Sequence, residues 1–169
     1  MYKNFEKKIK KINHIKISDS YCLYEFQCKG GDCCLYSVKI FPIVIETLEK
    51  INKFLSQKLK KKVKLNVISG YRCEKWNKAI GGVSDSGHLF GIAVDIETLS
   101  IPLPEKDLAV IIRDNFPEVK RIGVYGKSFM RKGKIVPVRG YQNKVGFLHL
   151  EFEHKYRRGI KLPDYWGDW

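Results

Sequence analysis

Long apolar runs are absent from this sequence. Its 169 residues contain no uninterrupted hydrophobic stretch of the length that a signal peptide or a bilayer-spanning helix requires. Charged residues recur throughout the N-terminal segment MYKNFEKKIKKINHIKIS. We therefore expect a soluble chain without an export signal or a membrane span of its own, cytoplasmic until it is released.

Acidic residues are scarce relative to basic ones. Lys and Arg total 32 against 18 Asp and Glu, which gives a net charge of +14. A surface of this charge attracts anions, so nucleic acid and anionic cell-wall polymers are both candidate partners. The sequence has neither a zinc-finger spacing nor an aromatic RNA-binding signature, so any nucleic-acid binding is expected to be nonspecific. Lysine runs at 7–11 and 58–62 also fit a solvated basic face.

The sequence also lacks a pair of cysteines at the CxxC spacing that many zinc sites use. Its five cysteines are an odd number, so at least one is unpaired within a monomer. Cys28, Cys33 and Cys34 cluster in FQCKGGDCC, around a flexible KGGD loop. A structural zinc site, a disulfide and free thiols all remain open for this cluster.

Internal repeats, low-complexity tracts and linkers are likewise missing, which predicts one domain over residues 1–169 with its core at about 20–155. A basic segment precedes this core, and an aromatic tail with Tyr165, Trp166 and Trp169 follows it. We expect the tail to pack on the core, with contact to glycan as the alternative.

Apolar periodicity and β-propensity predict a mixed sheet with two or three helices, an α+β fold. In chain order, the predicted elements are extended structure at 14–27, a helix opened by Pro42 in PIVIETLEKINKFLSQKLKKK, a strand at 63–69, a short helix in YRCEKWNKAIGG, a polar loop, a strand in GIAVDIE, a helix at 104–117, and strands in RIGVYG, KIVPV and GFLHLEFE.

Two of the four histidines stand in segments that carry candidate metal ligands. His88 and Asp95 lie in SGHLFGIAVDIE, and His149 lies far downstream in VGFLHLEFE. Asp95 falls inside an apolar run, where an ionised carboxylate needs a partner or a cation. Two imidazoles and one carboxylate hold catalytic zinc and leave a fourth position open for water. Ordinary hydrogen bonds or salt bridges are the alternative for each residue taken alone.

An ordered set of motifs surrounds these residues. It comprises Ser-Gly-Tyr-Arg at 69–72, Asn77, Gly81-Gly82, Ser86-Gly87-His88, Gly91, Ala93, Asp95 and a late hydrophobic-His strand. Together they resemble the D-alanyl-D-alanine carboxypeptidase family of zinc metallopeptidases, which includes vancomycin-resistance dipeptidases and phage endolysin peptidases and shares its fold with the hedgehog signalling domain. The segment YEFQCKG resembles the short, single-domain branch, many of whose members are encoded by phages or prophages. The resemblance runs from about Tyr24 to Glu151.

The resemblance implies a central, mainly antiparallel sheet and one catalytic zinc ion held by His88, Asp95 and His149. It places Arg72 beside the scissile carbonyl, where a permanently charged guanidinium suits an oxyanion or a substrate carboxylate; an ordinary salt bridge is the alternative. Ser86 and Asn77 are expected to order the loop or bind the substrate backbone. Tyr71 either contributes to substrate binding or only packs.

The position of the general base departs from the common pattern. Many relatives carry a carboxylate three residues before the last histidine ligand, where this chain has Gly146. Other branches carry an acid two residues after it, which corresponds to Glu151 on the same strand face as His149. We expect Glu151 to take a proton from water, with orientation of a ligand imidazole as the alternative role and Glu153 as an alternative residue.

Three classes of function remain for this sequence. The first is a zinc peptidase that hydrolyses peptidoglycan stem peptides, as a D-alanyl-D-alanine carboxypeptidase or an endolysin-type endopeptidase in a phage or prophage context. A cytoplasmic dipeptidase acting on free D-Ala-D-Ala is a variant of it. The second is a catalytically inactive, zinc-stabilised binding module of the same fold, and the third is a basic protein that binds nucleic acid nonspecifically.

Overall fold

The computed structural model describes residues 13–98, 100–125, 128–131, 134–137, 146–152 and 164–167. For Asp32 and for residues 128–131, 134–137 and 164–167 it describes the backbone alone. The helices are α1 Pro42–Leu59, α2 Glu74–Ala79, α3 Gly87–Phe90 and α4 Glu105–Asn115. The strands are β1 Asn66–Ser69, β2 Ala93–Glu97, β3 Val119–Tyr125, β4 Ser128–Arg131, β5 Lys134–Pro137, β6 Phe147–Phe152 and β7 Asp164–Gly167.

Five strands form one sheet in the order β1-β2-β6-β3-β7, and β4 pairs with β5 separately. The pairs β1–β2, β2–β6 and β3–β6 are antiparallel, whereas β3–β7 is parallel. A mainly antiparallel sheet with helices confirms the predicted α+β class. None of the helices in the described ranges combines the length and apolar character needed to cross a membrane.

The longest helix, α1, follows directly from its sequence. Pro42 occupies the first turn, where a missing backbone N–H costs nothing. Buried apolar residues then recur at helical spacing, and Lys60 ends the helix in a left-handed conformation with φ of 49°. The apolar residues buried along this helix are Val44, Leu48, Ile51 and Leu55.

Alternation along the strands gives the sheet two different faces. On the face that we call the helix face, the side chains of the central strands join α1 and α4 in one hydrophobic cluster. The strand residues of this face are Val94, Ile96, Ile122, Val124, Leu148 and Leu150. The opposite face, here called the site face, carries the residues between them, among which are Asp95, Arg121, Gly123, His149 and Glu151.

The predicted extended structure at 14–27 is largely wrong. The structure shows only an isolated bridge between Lys16 and Cys22, followed by a 3-10 turn at Leu23–Phe26. The Glu49 carboxylate on α1 accepts hydrogen bonds from the Ser18 hydroxyl at 2.7 Å and the Ser20 N–H at 2.6 Å. These bonds to a helix hold the segment in a turn, which local alternation of residues does not reveal.

Smaller differences concern the ends of elements and the tail. The strand expected at 63–69 is confined to β1, and α3 forms one helical turn within the loop expected before β2. The tail contributes β7, whose backbone pairs with β3. The expected packing of Tyr165, Trp166 and Trp169 side chains lies outside what the structure describes.

Replacing Ile51 with Ala tests the helix face. Ile51 is fully buried, so its truncation leaves a cavity and should lower the free energy of unfolding by about 2–5 kcal/mol. The matched control is Ile15→Ala, because Ile15 is 56% exposed and should change stability by at most about 0.5 kcal/mol. Chemical denaturation of both variants measures the difference, and equal losses would contradict the placement of the core.

Candidate metal centre

Strand pairing brings Asp95 and His149 together in the middle of the sheet. Asp95 on β2 lies directly opposite His149 on β6, and Ser69 on β1 lies opposite Asp95. On the other side of His149, β3 presents Gly123. These residues form one row across the site face, because directly opposed residues of antiparallel strands point to the same face.

A tight turn delivers His88 to this row. His88 lies in α3, which Gly91 ends in the left-handed conformation with φ of 73°. A side chain at Gly91 would also place its Cβ 2.4 Å from the Lys39 carbonyl oxygen, so only glycine fits there. The Arg72 N–H donates to the His88 carbonyl oxygen at 3.2 Å, which fixes the turn against the segment after β1.

The three candidate ligands converge through single atoms. His88 Nε2 lies 3.2 Å from Asp95 Oδ1 and 3.2 Å from His149 Nδ1, and the last two atoms are 2.8 Å apart. Nitrogen and oxygen ligands at the corners of a zinc tetrahedron are separated by about 3.3 Å, given bonds of about 2.0–2.1 Å. The spacing and the chemistry of the three donors therefore fit zinc.

Hydrogen bonding fixes the tautomer of His88, a candidate ligand. Its Nδ1 lies 2.6 Å from the Gly70 carbonyl oxygen, which can only accept, so Nδ1 carries the proton and Nε2 presents its lone pair to the centre. Complete burial lowers the pKa of His88 to about 4. The imidazole is therefore uncharged at neutral pH, the form in which histidine binds metals.

Electrostatics also favour the required state of Asp95. Burial opposes its ionisation, but interactions with His88 and Arg72 outweigh burial and hold the pKa of Asp95 well below its usual range. Burial likewise disfavours the charged form of His149, but the carboxylates of Asp95 and Glu151 raise its pKa above the ordinary value. The centre thus combines a buried, ionised carboxylate with two imidazoles, a donor set that suits a metal cation.

Arg72 supports the ligand carboxylate. Its Nη2 donates to Asp95 Oδ2, the oxygen that faces away from the histidines, and its Nε donates to Ser69 Oγ at 2.9 Å. Both side chains are largely buried, so removal of Arg72 would leave the Asp95 carboxylate as a buried charge without this partner. The described bonds thus match the salt bridge that was the alternative for this residue, and they leave Nη1 outside the contact with Asp95.

Glu151 lies beside His149 on the site face, as its position two residues along β6 predicts. Its Oε2 is 3.8 Å from His149 Nε2 and 3.3 Å from Arg121 Nη1, and the residue is 4% exposed. His149 turns Nδ1 towards Asp95 and Nε2 towards Glu151. The carboxylate therefore contacts the side of the ring opposite to the three converging atoms.

Gly87 makes room for this arrangement. A Cβ at Gly87 would lie 2.8 Å from the Glu151 carboxylate carbon and 2.9 Å from the Ala93 Cβ. Ala93 lies directly opposite Glu151 on β2. The small residues at 87 and 93 thus create the space that the buried carboxylate occupies.

Gly146 lies next to another acid, Glu105 of α4. A Cβ at Gly146 would fall 2.0 Å from Glu105 Oε1, and the Gly146 carbonyl oxygen accepts from the Thr98 hydroxyl at 2.9 Å. Helix α4 packs on the helix face, whereas His149 lies on the site face. The Glu105 carboxylate therefore occupies the space that a side chain at position 146 would need.

The three expected substrate-binding residues lie in the segment that joins β1 to α3, with Asn77 inside α2. The Asn77 amide donates to the Val83 carbonyl oxygen at 2.8 Å and so orders the loop, while its buried Oδ1 has no hydrogen-bond partner within the described residues. Ser86 caps α3 by position and is 8% exposed. Tyr71 is half-buried, burial raises the pKa of its phenol, and its N–H donates to the Phe26 carbonyl oxygen at 2.8 Å.

Sequence reasoning missed the groups that hold the side chains around the centre. Ser69 accepts from Arg72, the Gly70 carbonyl oxygen contacts His88, and Arg121 donates to Glu151. Ser69 and Gly70 belong to the Ser-Gly-Tyr-Arg motif, which offered a signal for them. Arg121 lies two residues before Gly123 on β3 and therefore on the same face of the sheet. Its pairing with Glu151, however, depends on the register of β3 against β6.

An α+β fold with two imidazoles and a carboxylate converging on one buried point is the arrangement of a zinc-dependent hydrolase. A family model described as Peptidase M15 matches residues 24–129, more than half of the chain. The chain belongs to this family of D-alanyl-D-alanine carboxypeptidase-like zinc metallopeptidases. The match includes Arg72, His88 and Asp95 and ends before His149 and Glu151. No curated protein matches the chain.

Replacing Arg72 with Lys tests the support of Asp95. A lysine ammonium cannot reproduce the planar contact with both Asp95 and Ser69, so the affinity for zinc at this centre should fall about 10–100-fold. The matched control is Arg113→Lys, because Arg113 pairs with Asp114 at the surface. Competition with a zinc chelator measures both affinities, and an unchanged affinity in Arg72→Lys would refute the supporting role.

Proposed function

We propose that this protein is a zinc-dependent peptidase that hydrolyses peptide bonds in the stem peptides of bacterial peptidoglycan, as a D-alanyl-D-alanine carboxypeptidase or an endolysin-type endopeptidase. One domain carries the whole site. The observation that carries the proposal is the convergence of His88, Asp95 and His149 through three atoms within 3.2 Å of one another in a Peptidase M15 chain.

His88 Nε2, Asp95 Oδ1 and His149 Nδ1 are the proposed zinc ligands. Zinc at such a centre lowers the pKa of a water molecule and polarises a carbonyl group. The Gly70 carbonyl fixes the tautomer of His88, and Arg72 fixes the carboxylate of Asp95. The chain therefore holds all three donors in place before the substrate arrives, which limits reorganisation during the reaction.

Arg72 is also proposed to contact the substrate. The described hydrogen bonds engage its Nε and Nη2, and Nη1 remains as a donor for the oxygen of the scissile carbonyl or for a terminal carboxylate. Ser86, Asn77 and Tyr71 are proposed to bind the peptide backbone. The loop order that Asn77 imposes supports this role, because a fixed loop loses less entropy when substrate binds.

Two roles are proposed for Glu151, and its contacts favour the second. As a general base, its carboxylate would take a proton from the attacking water. As a positioning residue, it would orient His149 by facing Nε2 from the side opposite to the centre. Arg121 Nη1 lies 3.3 Å from the buried Glu151 carboxylate and holds it beside His149, which suits the positioning role.

The basic surface supports a location at the cell wall. A net charge of +14 attracts anionic wall polymers and would retain the enzyme near its substrate. A phage or prophage endolysin context is proposed because the segment YEFQCKG resembles the short, single-domain branch, many of whose members are encoded by phages or prophages. D-Ala-containing peptides and peptidoglycan are accordingly the proposed partners.

Replacing His149 with Ala tests the proposed function. The full-length wild-type protein should release D-Ala or shortened muropeptides from purified sacculi or from D-Ala-D-Ala-terminated peptides, as measured by mass spectrometry. His149→Ala should lose the zinc of this centre and all turnover, because two donors no longer complete the site. The matched control is His14→Ala, an exposed histidine outside the centre. Absence of product from zinc-loaded wild type, or equal turnover by His149→Ala, would overturn the proposal.

A catalytically inactive, zinc-stabilised binding module is the second candidate. It is favoured by Gly146 at the usual position of the base and by the engagement of Glu151 with Arg121. Such a module would bind peptidoglycan peptides through the same centre without cleaving them.

Replacing Glu151 with Gln separates these possibilities. A general base predicts that turnover falls about 10²–10⁴-fold with zinc retained, whereas a positioning residue predicts a loss of about 10–100-fold in zinc affinity. The matched control is Glu118→Gln, because Glu118 pairs with Lys50 at the surface. Turnover and chelator competition measure the two effects, and peptide binding without turnover in the wild type would establish the binding module.

A further inference from the structure

Four of the five cysteines meet at a second point of the structure. Cys28, Cys33 and Cys34 come from the loop after the first 3-10 turn, and Cys73 comes from the residue before α2. Their sulfur atoms all lie within 4.8 Å of one another, with 3.0 Å between Cys33 and Cys73 and 3.6 Å between Cys33 and Cys34. Cys22 does not belong to this group.

We propose that these four cysteines, here called the cysteine cluster, bind a second zinc ion with a structural role. Zinc–sulfur bonds of about 2.3 Å in a tetrahedron separate the sulfurs by about 3.8 Å, a value inside the observed spacing. Four thiolates complete the coordination and leave no position for water, which is the pattern of structural sites. This inference is independent of the proposed peptidase activity.

Backbone N–H groups already point at these sulfurs. The Cys73 N–H approaches Cys28 Sγ at 3.4 Å, and the Trp76 N–H approaches Cys73 Sγ at 3.4 Å. The Gly30 N–H also donates to Cys28. Donors of this kind stabilise thiolates, the form of cysteine that binds metal.

The loop is bent to bring Cys34 to the cluster. Leu35 and Tyr36 both adopt positive φ, at 51° and 56°, a conformation that favours glycine. Gly30 is required on the other side, because a Cβ there would lie 2.4 Å from Cys33 Sγ. Two consecutive strained residues persist where the surroundings determine them, and a four-thiolate metal site supplies that constraint.

A disulfide between Cys33 and Cys73 is the competing arrangement. It would join the two segments but would leave Cys28 and Cys34 as thiols without a reason to converge. Zinc accounts for all four positions. The resulting link lies directly after Arg72, so the second ion would fasten the N-terminal loop to the segment that supports Asp95.

Zinc counting tests the cysteine cluster. Protein purified under reducing conditions should contain about two zinc ions per chain by plasma mass spectrometry. The double variant Cys33→Ser/Cys34→Ser should retain only the ion at the histidine centre, and His149→Ala should retain only the ion at the cysteine cluster. Cys22→Ser is the matched control and should retain both. If His149→Ala contains no zinc at all, the inference is overturned.

A second measurement uses proteins with an intact cluster. Cobalt substituted into His149→Ala should give an intense thiolate-to-cobalt charge-transfer band, because the cysteine cluster is then the remaining complete set of ligands. A mercurial that modifies thiols should release one zinc ion from the wild type, and the ion at the histidine centre should remain. Absence of both signals, or a Cys33–Cys73 disulfide found in non-reduced peptides, would refute the second site. Either outcome leaves the test of peptidase activity unaffected.

Discussion

The site depends on one constraint, which is that the buried Asp95 carboxylate must be compensated by Arg72, His88 and His149. A carboxylate at the centre of a sheet is stable only when both of its oxygens are compensated. One oxygen faces the two histidines and the other accepts from Arg72, so the ion pair and the candidate metal centre share a single group. Because Arg72 also bonds to Ser69 and to the His88 carbonyl, β1, α3 and β2 meet at this carboxylate. Removal of Arg72 would leave the outer oxygen of this buried carboxylate without its partner.

The two faces of the sheet divide stability from chemistry. The helix face holds α1 and α4 through apolar side chains, while the site face places charged residues in successive rows of β2, β6 and β3. The acids Glu105 and Glu151 have different neighbours. The Glu105 carboxylate lies beside Gly146, whereas Glu151 lies on the site face beside His149. A carboxylate at position 146 would point to the same side as Glu105, where a side chain has no room.

The spacing of apolar residues along the chain predicted those helices and strands whose apolar residues are the buried ones. Helix α1, β2, α4 and β6 follow from apolar periodicity, and the burial of Asp95 follows from the apolar run around it. The prediction at 14–27 was wrong because contacts to Glu49, more than thirty residues away in sequence for Ser18, determine that segment. The partners Arg121 and Glu151 depend on strand register, and the meeting of Cys73 with Cys28, Cys33 and Cys34 depends on tertiary folding. Spacing along a chain does not encode either.

The glycines around His88 have a consequence for how substitutions in this protein are interpreted. Gly70 faces the Phe26 backbone, Gly87 faces Glu151, and Gly91 faces the Lys39 carbonyl, each too closely to accept a Cβ. A saturation mutagenesis experiment would find all three positions intolerant, in the same window as His88 and Asp95. That intolerance would arise from packing and, at Gly91, also from its positive φ. In this stretch of the chain, a map of positions that do not tolerate substitution would therefore include the glycines that give the site its shape as well as the side chains proposed to act in it.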